Sequence, residues 1–384
     1  LSTKKYKSKD DLNKALFALG ISSGLSADSR VINDTFVDNT ILTKTFLKED
    51  SKKGLEIMSE LLLNATYQNK SYWTHWFMSL FNDNTNMASS RVHEQHLKNM
   101  YFSTHTTYYK WPPPYSSNQM IEWKESNVQP ETTTLMVVGD VNILYIKKIV
   151  EAVFGGWQPI RSLSSKLKPI IGLDNRSGKR VRFVDMKDKN IQNNATLSIA
   201  FRGPSMHSPS IDHHSSYLAT NILAVGSGCR MQLNVRELFP ATETWIDSEW
   251  QNTDYQHITL KSKVSHQYLL PFYKATLKEL KKITQSTISK QELEDAKYLV
   301  RRSIADLVSD PLELSQYVLK HRSNGKSIEE INDDLSKYDE VTLDQVNEAA
   351  SRLFNPNNFI AVVTATKDSS KTFIDHFEKI ELYN

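Results

Sequence analysis

Cysteine is almost missing from this chain: Cys229 is the only one in 384 residues. One thiol excludes an intrachain disulfide framework and a cysteine-built zinc cluster, and it leaves the redox compartment open. Long hydrophobic runs are missing too. No stretch approaches the roughly 18 consecutive apolar residues of a membrane helix, and Leu1–Lys9 has none of the features of a secretory signal. Charge of one sign is in short supply: the net charge is +3. The lysines and arginines are dispersed, as in Lys278–Lys282, where helical spacing makes a solvated face rather than a stripe for nucleic acid. These absences remove the membrane-spanning, disulfide-scaffold and nucleic-acid-binding classes. What is present is a 39% apolar chain, globular in composition and long enough for two ordinary cores.

Those two cores are written as a repeat. Residues 132–157, TTTLMVVGDVNILYIKKIVEAVFGGW, read as a buried strand, a Gly-Asp turn and an amphipathic helix, and residues 357–377, NNFIAVVTATKDSSKTFIDHF, give the same order again. Upstream of each, a strand (Thr40–Leu47; His257–Val264) runs into a helix and then a second helix. The second copy opens with two strands, RVRFVDM and ATLSIAFRGP, whereas the first opens in a turn and helix, so copy one is expected to lack its front. The reading is α+β: residues 1–160 form the first domain, 161–179 a Pro-, Ser- and Lys-rich linker, and 180–384 the second domain.

Local signals place the elements. Leu12, Leu16, Phe17 and Leu19 have helical spacing and stop at Gly20. A strand is expected near Ile21–Asp28, and helices at Asp50–Leu63, Ser71–Phe81 and Met87–Phe102. Trp111-Pro-Pro-Pro-Tyr115 is a stiff loop, and the aromatics of Tyr72–Phe81 read as core. Leu135–Val138 reads as a strand, with Asp140 capping the helix that starts at Asn142. In the second copy, strands are expected at Arg180–Asp185, Ala195–Phe201, Glu243–Trp250 and Tyr255–Val264. Helices are expected at His213–Ala224, Arg230–Leu238, Gln267–Ile283, Ser289–Leu307, Pro311–His321, Ser327–Leu335 and Thr342–Leu353. Ser289 and Glu292 form a capping-box pattern.

The strand-turn TTLMVVGDVN, the FGGWQP that follows, the segment FRGPSMHSPSIDHHSSYLATNILAVGSGCRMQLNVRE and the ending RLFNPNNFIAVV resemble the M16 metallopeptidases, the pitrilysin, insulinase and mitochondrial-processing-peptidase group. The resemblance covers the whole chain. It implies two homologous domains, each a mixed or antiparallel sheet flanked by helices, forming one half of a clam-like chamber. In the catalytic half of that family, His-x-x-Glu-His and a later glutamate hold zinc, which activates a water.

His-x-x-Glu-His occurs nowhere in this sequence. The nearest string, Val92-His93-Glu94-Gln95-His96, spaces its histidines three apart and points Glu94 elsewhere on a helix. His93 and His96 are therefore expected to face solvent. In copy two, Tyr217 and Leu218 stand where Glu-His would have to follow His214. The helix Tyr72–Phe81, where a third ligand would sit, has no acid. The sequence thus assigns no catalytic residue and no metal ligand, and the resemblance places zinc in a catalytic half or partner.

The resemblance implies a non-catalytic half or subunit that closes the chamber, binds extended peptide by strand addition and pairs as a homo- or heterodimer. Arg236 matches an arginine that helps hold the scissile region. The family's tyrosine, seven positions on, falls on Glu243, or on Trp245 with a longer loop. Gly226 and Gly228 match a glycine-rich turn of the chamber wall, with Arg230 beside them on the substrate side. Followed by Cys-Arg, that turn is no phosphate cradle, and Cys229 reads as a small buried residue. Two other readings stand beside this one: a structural scaffold without proteolysis, or a fragment of an active zinc endopeptidase whose catalytic segment lies upstream. By analogy the compartment is the bacterial periplasm, with the mitochondrion as alternative.

Overall fold

The structure, a computed structural model, describes residues 2–20, 31–33, 40–42, 44–66, 92–94, 96–97, 99–100, 118, 121–122, 124–125, 128–159, 177–186, 194–204, 210–239, 247–250, 257–285, 288–323 and 326–383. The expected strand at Ile21–Asp28, the helix Ser71–Phe81, the loop Trp111–Tyr115, and Glu243 and Trp245 lie outside them. The chain divides into two compact units, 1–83 with 110–170 and 305–328, and 84–109 with 171–304 and 329–384.

In the first unit, strand β1 (Ser2–Thr3) is followed by helix α1 (Lys9–Phe17), opened by Ser8, whose Oγ accepts from the Asp11 amide at 3.1 Å. The short strands β2 (Val31–Asn33) and β3 (Thr40–Leu42) pair antiparallel, and helix α2 (Ser51–Leu63) runs into β4 (Ala65–Thr66), which pairs with β1. The spacing of Leu12, Leu16 and Leu19 puts them on one face, where they meet Ile57 and Leu61 of α2. A Cβ at Gly54 of α2 would sit 2.5 Å from the Phe46 ring, which would have to shift to admit it. Helix α3 (Ile143–Phe154) packs Ile146 and Ile149 on Leu55.

Two local expectations fail in this unit. The cap of α3 is Asn142, whose Oδ1 accepts from the Tyr145 amide at 3.0 Å, while Asp140 pairs instead with Lys48 Nζ at 2.7 Å. Leu135–Val138 forms no strand pairing among the described residues, and Leu135, Val137 and Val138 are each 38% exposed. A four-residue apolar run signals burial without fixing a ladder partner.

The second unit carries a six-stranded mixed sheet of β5 (Arg180–Asp185), β6 (Asn194–Arg202), β7 (Asp247–Trp250), β8 (His257–Ser265), β9 (Ile360–Ala365) and β10 (Glu381–Tyr383). The strand order is β10-β5-β9-β6-β8-β7; β10, β5 and β9 run parallel, and the remaining neighbours are antiparallel. Its helices are α4 (Ser210–Ala224), α5 (Arg230–Asn234), α6 (Leu269–Gln285), most of α7 (Lys290–Ser309), α9 (Ile328–Ser336), α10 (Leu343–Leu353) and α11 (Lys371–Ile374), while α8 (Pro311–Ser323) falls in the first unit. Phe183, Leu197, Ile199, Phe201, Leu260 and Val363 face the main core with Leu218, Phe272, Tyr273 and Val346 from the helices. On the opposite face Val184, Ala200, Ile360 and Val362 meet Leu97 and Met100, in a segment helical at 92–94, 96–97 and 99–100. Burial on both faces explains why ATLSIAF and IAVV are nearly continuous apolar runs rather than alternating ones. The capping box at α7 forms as read: Ser289 Oγ accepts from the Glu292 amide at 3.2 Å, and Glu292 Oε2 from the Ser289 amide at 2.9 Å. No helix among the described residues is long and apolar enough to cross a membrane.

Candidate functional site

After α4 the chain turns at Gly226, whose φ of +82° is a conformation that a side chain would strain. Gly226 and Gly228 are both exposed. The turn ends at Cys229, the N-cap of α5, whose Sγ accepts from the Gln232 amide at 3.4 Å. Burial pushes the Cys229 thiol up, so it serves as a small packed cap rather than a nucleophile. Arg230 is held by α7: its Nε and Nη2 donate to the two carboxylate oxygens of Glu292 at 2.6 and 3.0 Å. These bonds hold the Glu292 carboxyl down at about 2, against the opposing effect of burial. Glu292 thus serves two ends at once, bonding Ser289 at the start of α7 and Arg230 at the start of α5. Arg230 is therefore already engaged as a brace for the glycine turn. Arg236 opens a short 3-10 turn, Arg236–Leu238; it is exposed and makes no ion pair among the described residues. Leu233 and Leu238 beside it are 55% and 63% exposed. The turn and its flanks thus present backbone, one cation and two apolar side chains.

The histidine string lies on the sheet and not in solvent, which corrects the expectation for His93. That ring is 3% exposed. Its Nε2 is 2.7 Å from Ser198 Oγ on β6 and its Nδ1 is 2.7 Å from Thr364 Oγ1 on β9, so one nitrogen donates and the other accepts. Burial, with Lys261 and His96 adding to it, lowers its pKa to about 3, and the ring is neutral at ordinary pH. His96 is partly buried, with Arg182 Nη1 at 3.5 Å from its Nδ1 and the Tyr383 ring 4.9 Å away; burial and then Arg182 lower its pKa to about 4. Arg182 in turn bonds Glu381 Oε2 through Nε at 2.8 Å and lies 4.4 Å from the Tyr383 ring centre, tying β10 to β5. Glu94 faces Lys261 at 3.8 Å.

The helix spacing alone missed this network. A signal was there: Ser198 and Thr364 interrupt the apolar runs of β6 and β9, and a buried hydroxyl needs a partner.

Residues 115–299 match the model of the peptidase M16 inactive domain. Over that span, just under half of the chain, the sequence is similar to a non-catalytic M16 domain. That span contains Gly226, Gly228, Arg230, Arg236 and Trp245 and lies downstream of His93–His96. Among solved structures, a protease from Helicobacter pylori is similar at 13% identity over 94% of this chain and 86% of that one, with a TM-score of 0.70. A peptidase M16 inactive domain from Pseudomonas fluorescens is similar at 14% identity over 83% and 75%, with a TM-score of 0.65. The first half of the periplasmic protease PqqL from Escherichia coli is similar at 14% identity over 97% and 81%, with a TM-score of 0.66. No curated protein matches the sequence. At these identities the structural likenesses establish the fold, a mixed sheet flanked by helices.

The zinc of the wider M16 family can be tested against the residues present. His93 has both ring nitrogens committed to Ser198 and Thr364, and Glu94 is turned to Lys261. In the second copy His214 is buried against the Tyr338 ring at 4.5 Å, and Leu218 is sealed in the main core. Neither string fits a zinc ligand set. Among the described residues no three His, Cys, Asp or Glu side chains converge as a metal site would need.

Proposed function

We propose that this chain is the non-catalytic half or subunit of an M16 zinc metalloprotease, closing the chamber and holding extended peptide for a partner that carries the zinc. The observation behind this reading is the match of residues 115–299 to an inactive domain, in a sequence whose two histidine strings both lack the His-x-x-Glu-His order. Residues 1–160 and 180–384 are its two tandem domains, and the partner is a catalytic half or subunit. The chain works in the bacterial periplasm.

The chemistry of capture follows from the second unit. Among the described residues β7 is one of the two end strands of the sheet, bonded on one side to β8 from Asp247↔Lys261 to Trp250↔Ile258. An extended peptide adds to such an edge through main-chain hydrogen bonds. Arg236 and Trp245 supply side-chain contacts, the exposed Gly226–Gly228 turn supplies backbone ones, and Arg230 acts through its brace on Glu292.

Fluorescence anisotropy with labelled unstructured peptides tests this on the full chain. Saturable binding is expected, and Arg236→Ala should weaken it about tenfold, the size of a lost charge-assisted hydrogen bond. The variant's melting temperature should not change, because Arg236 is exposed. Peptides N-methylated at alternate amides, which cannot pair with an edge, should lose binding altogether. The absence of saturable binding by the wild-type chain, or equal binding of the methylated peptides, would overturn the proposal.

A further inference from the structure

The second unit holds a cleft of about 390 Å³ that the peptide reading does not use. It opens at one end of the sheet, and the strand register explains why arginines gather there. Arg180 is the first residue of β5 and pairs with Ile360, the first of β9; Ile360 pairs on its other side with Ala200 of β6. Arg202, the last residue of β6, is two positions beyond Ala200 and therefore on the same face of the sheet. Arg352, one residue from the end of α10, is the third guanidinium lining the cleft.

Against these three cations the cleft lining has one carboxylate, Asp212, which Arg352 Nη2 approaches at 3.4 Å. Among the lining residues guanidinium groups thus outnumber carboxylates. Arg180 is positioned by a 2.8 Å bond from Nη2 to the Met100 carbonyl. Arg202 is exposed and makes no ion pair with a described residue. The floor is apolar: Phe359 and Ile360 are 3% and 5% exposed. Cationic walls over a low-dielectric floor concentrate the field in the opening. Guanidinium forks match carboxylate and phosphate oxygens two at a time. The volume lies toward the small end of ligand pockets, so the occupant is a small molecule.

We propose that this cleft binds a small polyanion carrying two or more carboxylate or phosphate groups, with Arg202 and Arg352 as its principal contacts. The proposal is independent of the peptide site, since it concerns different residues.

Isothermal titration of the full chain with citrate and, separately, with inorganic phosphate, at constant ionic strength, tests it. Saturable one-to-one binding of at least one probe is expected. Arg202→Ala should weaken it about tenfold, and Arg202→Glu should abolish it. Lys147→Ala, which removes an exposed charge from α3, should leave it unchanged. Preference for citrate marks a carboxylate ligand and preference for phosphate a phosphorylated one; either supports the site. Three outcomes would each overturn it: no saturable binding of either probe, wild-type affinity in Arg202→Glu, or equal loss in Lys147→Ala. The last would mean only a general charge effect.

Discussion

Replacing His93 by alanine should destabilise the second unit by about 3 kcal/mol and flatten its response to acid. Removing the ring leaves the hydroxyls of Ser198 and Thr364, each 2.7 Å from it, buried without their partner. An unsatisfied buried group costs about 1–3 kcal/mol, and the space left by the ring adds a cavity cost. The acid response follows from linkage. His93 has its pKa lowered from 6.5 to about 3 in the folded chain, so below pH 6.5 the unfolded state takes a proton that the folded state refuses. Stability is therefore complete above pH 6.5 and is lost as pH falls from there toward 3. Each proton of difference contributes a slope of about 1.4 kcal/mol per pH unit. His96, lowered to about 4, acts in the same direction with its exposure reducing the effect. Urea denaturation of wild type and His93→Ala at several values between pH 7.5 and 4 should show the variant's slope smaller by about one proton. Equal slopes and equal midpoints would place His93 in solvent, contrary to the structure.

A second large effect is expected from rebuilding the zinc string in copy two. Tyr217→Glu with Leu218→His creates His-x-x-Glu-His on α4 starting at His214. In the family the two histidines share a helix face that looks into an open site. Here that face is the core side: Leu218 is 0% exposed, His214 is 2% exposed, and the His214 ring stacks edge-on against Tyr338. A histidine at 218 would put polar nitrogens among Leu223, Phe272 and their neighbours. The double variant should lose about 3 kcal/mol or more in urea denaturation and gain no zinc by competition with a chromophoric chelator. Tight zinc binding with unchanged stability would mean that α4 presents this face to an opening.

The failure of that string is written partly in the sequence and partly not. The missing Glu-His pair is visible at once, but only the packing explains why adding it would not restore a site. The same division runs through the fold. β5 and β6 were legible almost to the residue, because strands buried on both faces leave nearly continuous apolar runs bounded by polar turns. The cap at Ser289 was legible because a capping box is local, each side chain bonding three residues away. His93 was misread because its partners are 105 and 271 positions distant. Asp140 was misread for the same reason, its partner Lys48 being 92 residues upstream and a better match than the local cap. Arg230 is the intermediate case. Its place beside the glycine turn is local in the sequence, while its engagement by Glu292 required knowing that α7 returns to α5.

Arg180, Arg202 and Arg352 were invisible as a group for a similar reason. Nothing in the sequence relates them until the register of β5, β9 and β6 brings strand ends together. Long-range juxtaposition, rather than local propensity, is where the reading of this chain ran short.

The central proposal is that this chain is the non-catalytic half of an M16-like protease and leaves zinc chemistry to a partner. Zinc content of the purified chain, measured together with cleavage of a quenched unstructured peptide before and after chelation, tests it most directly. The account predicts well under one zinc per chain and no chelator-sensitive cleavage by the chain alone. About one zinc per chain with cleavage abolished by the chelator would contradict it.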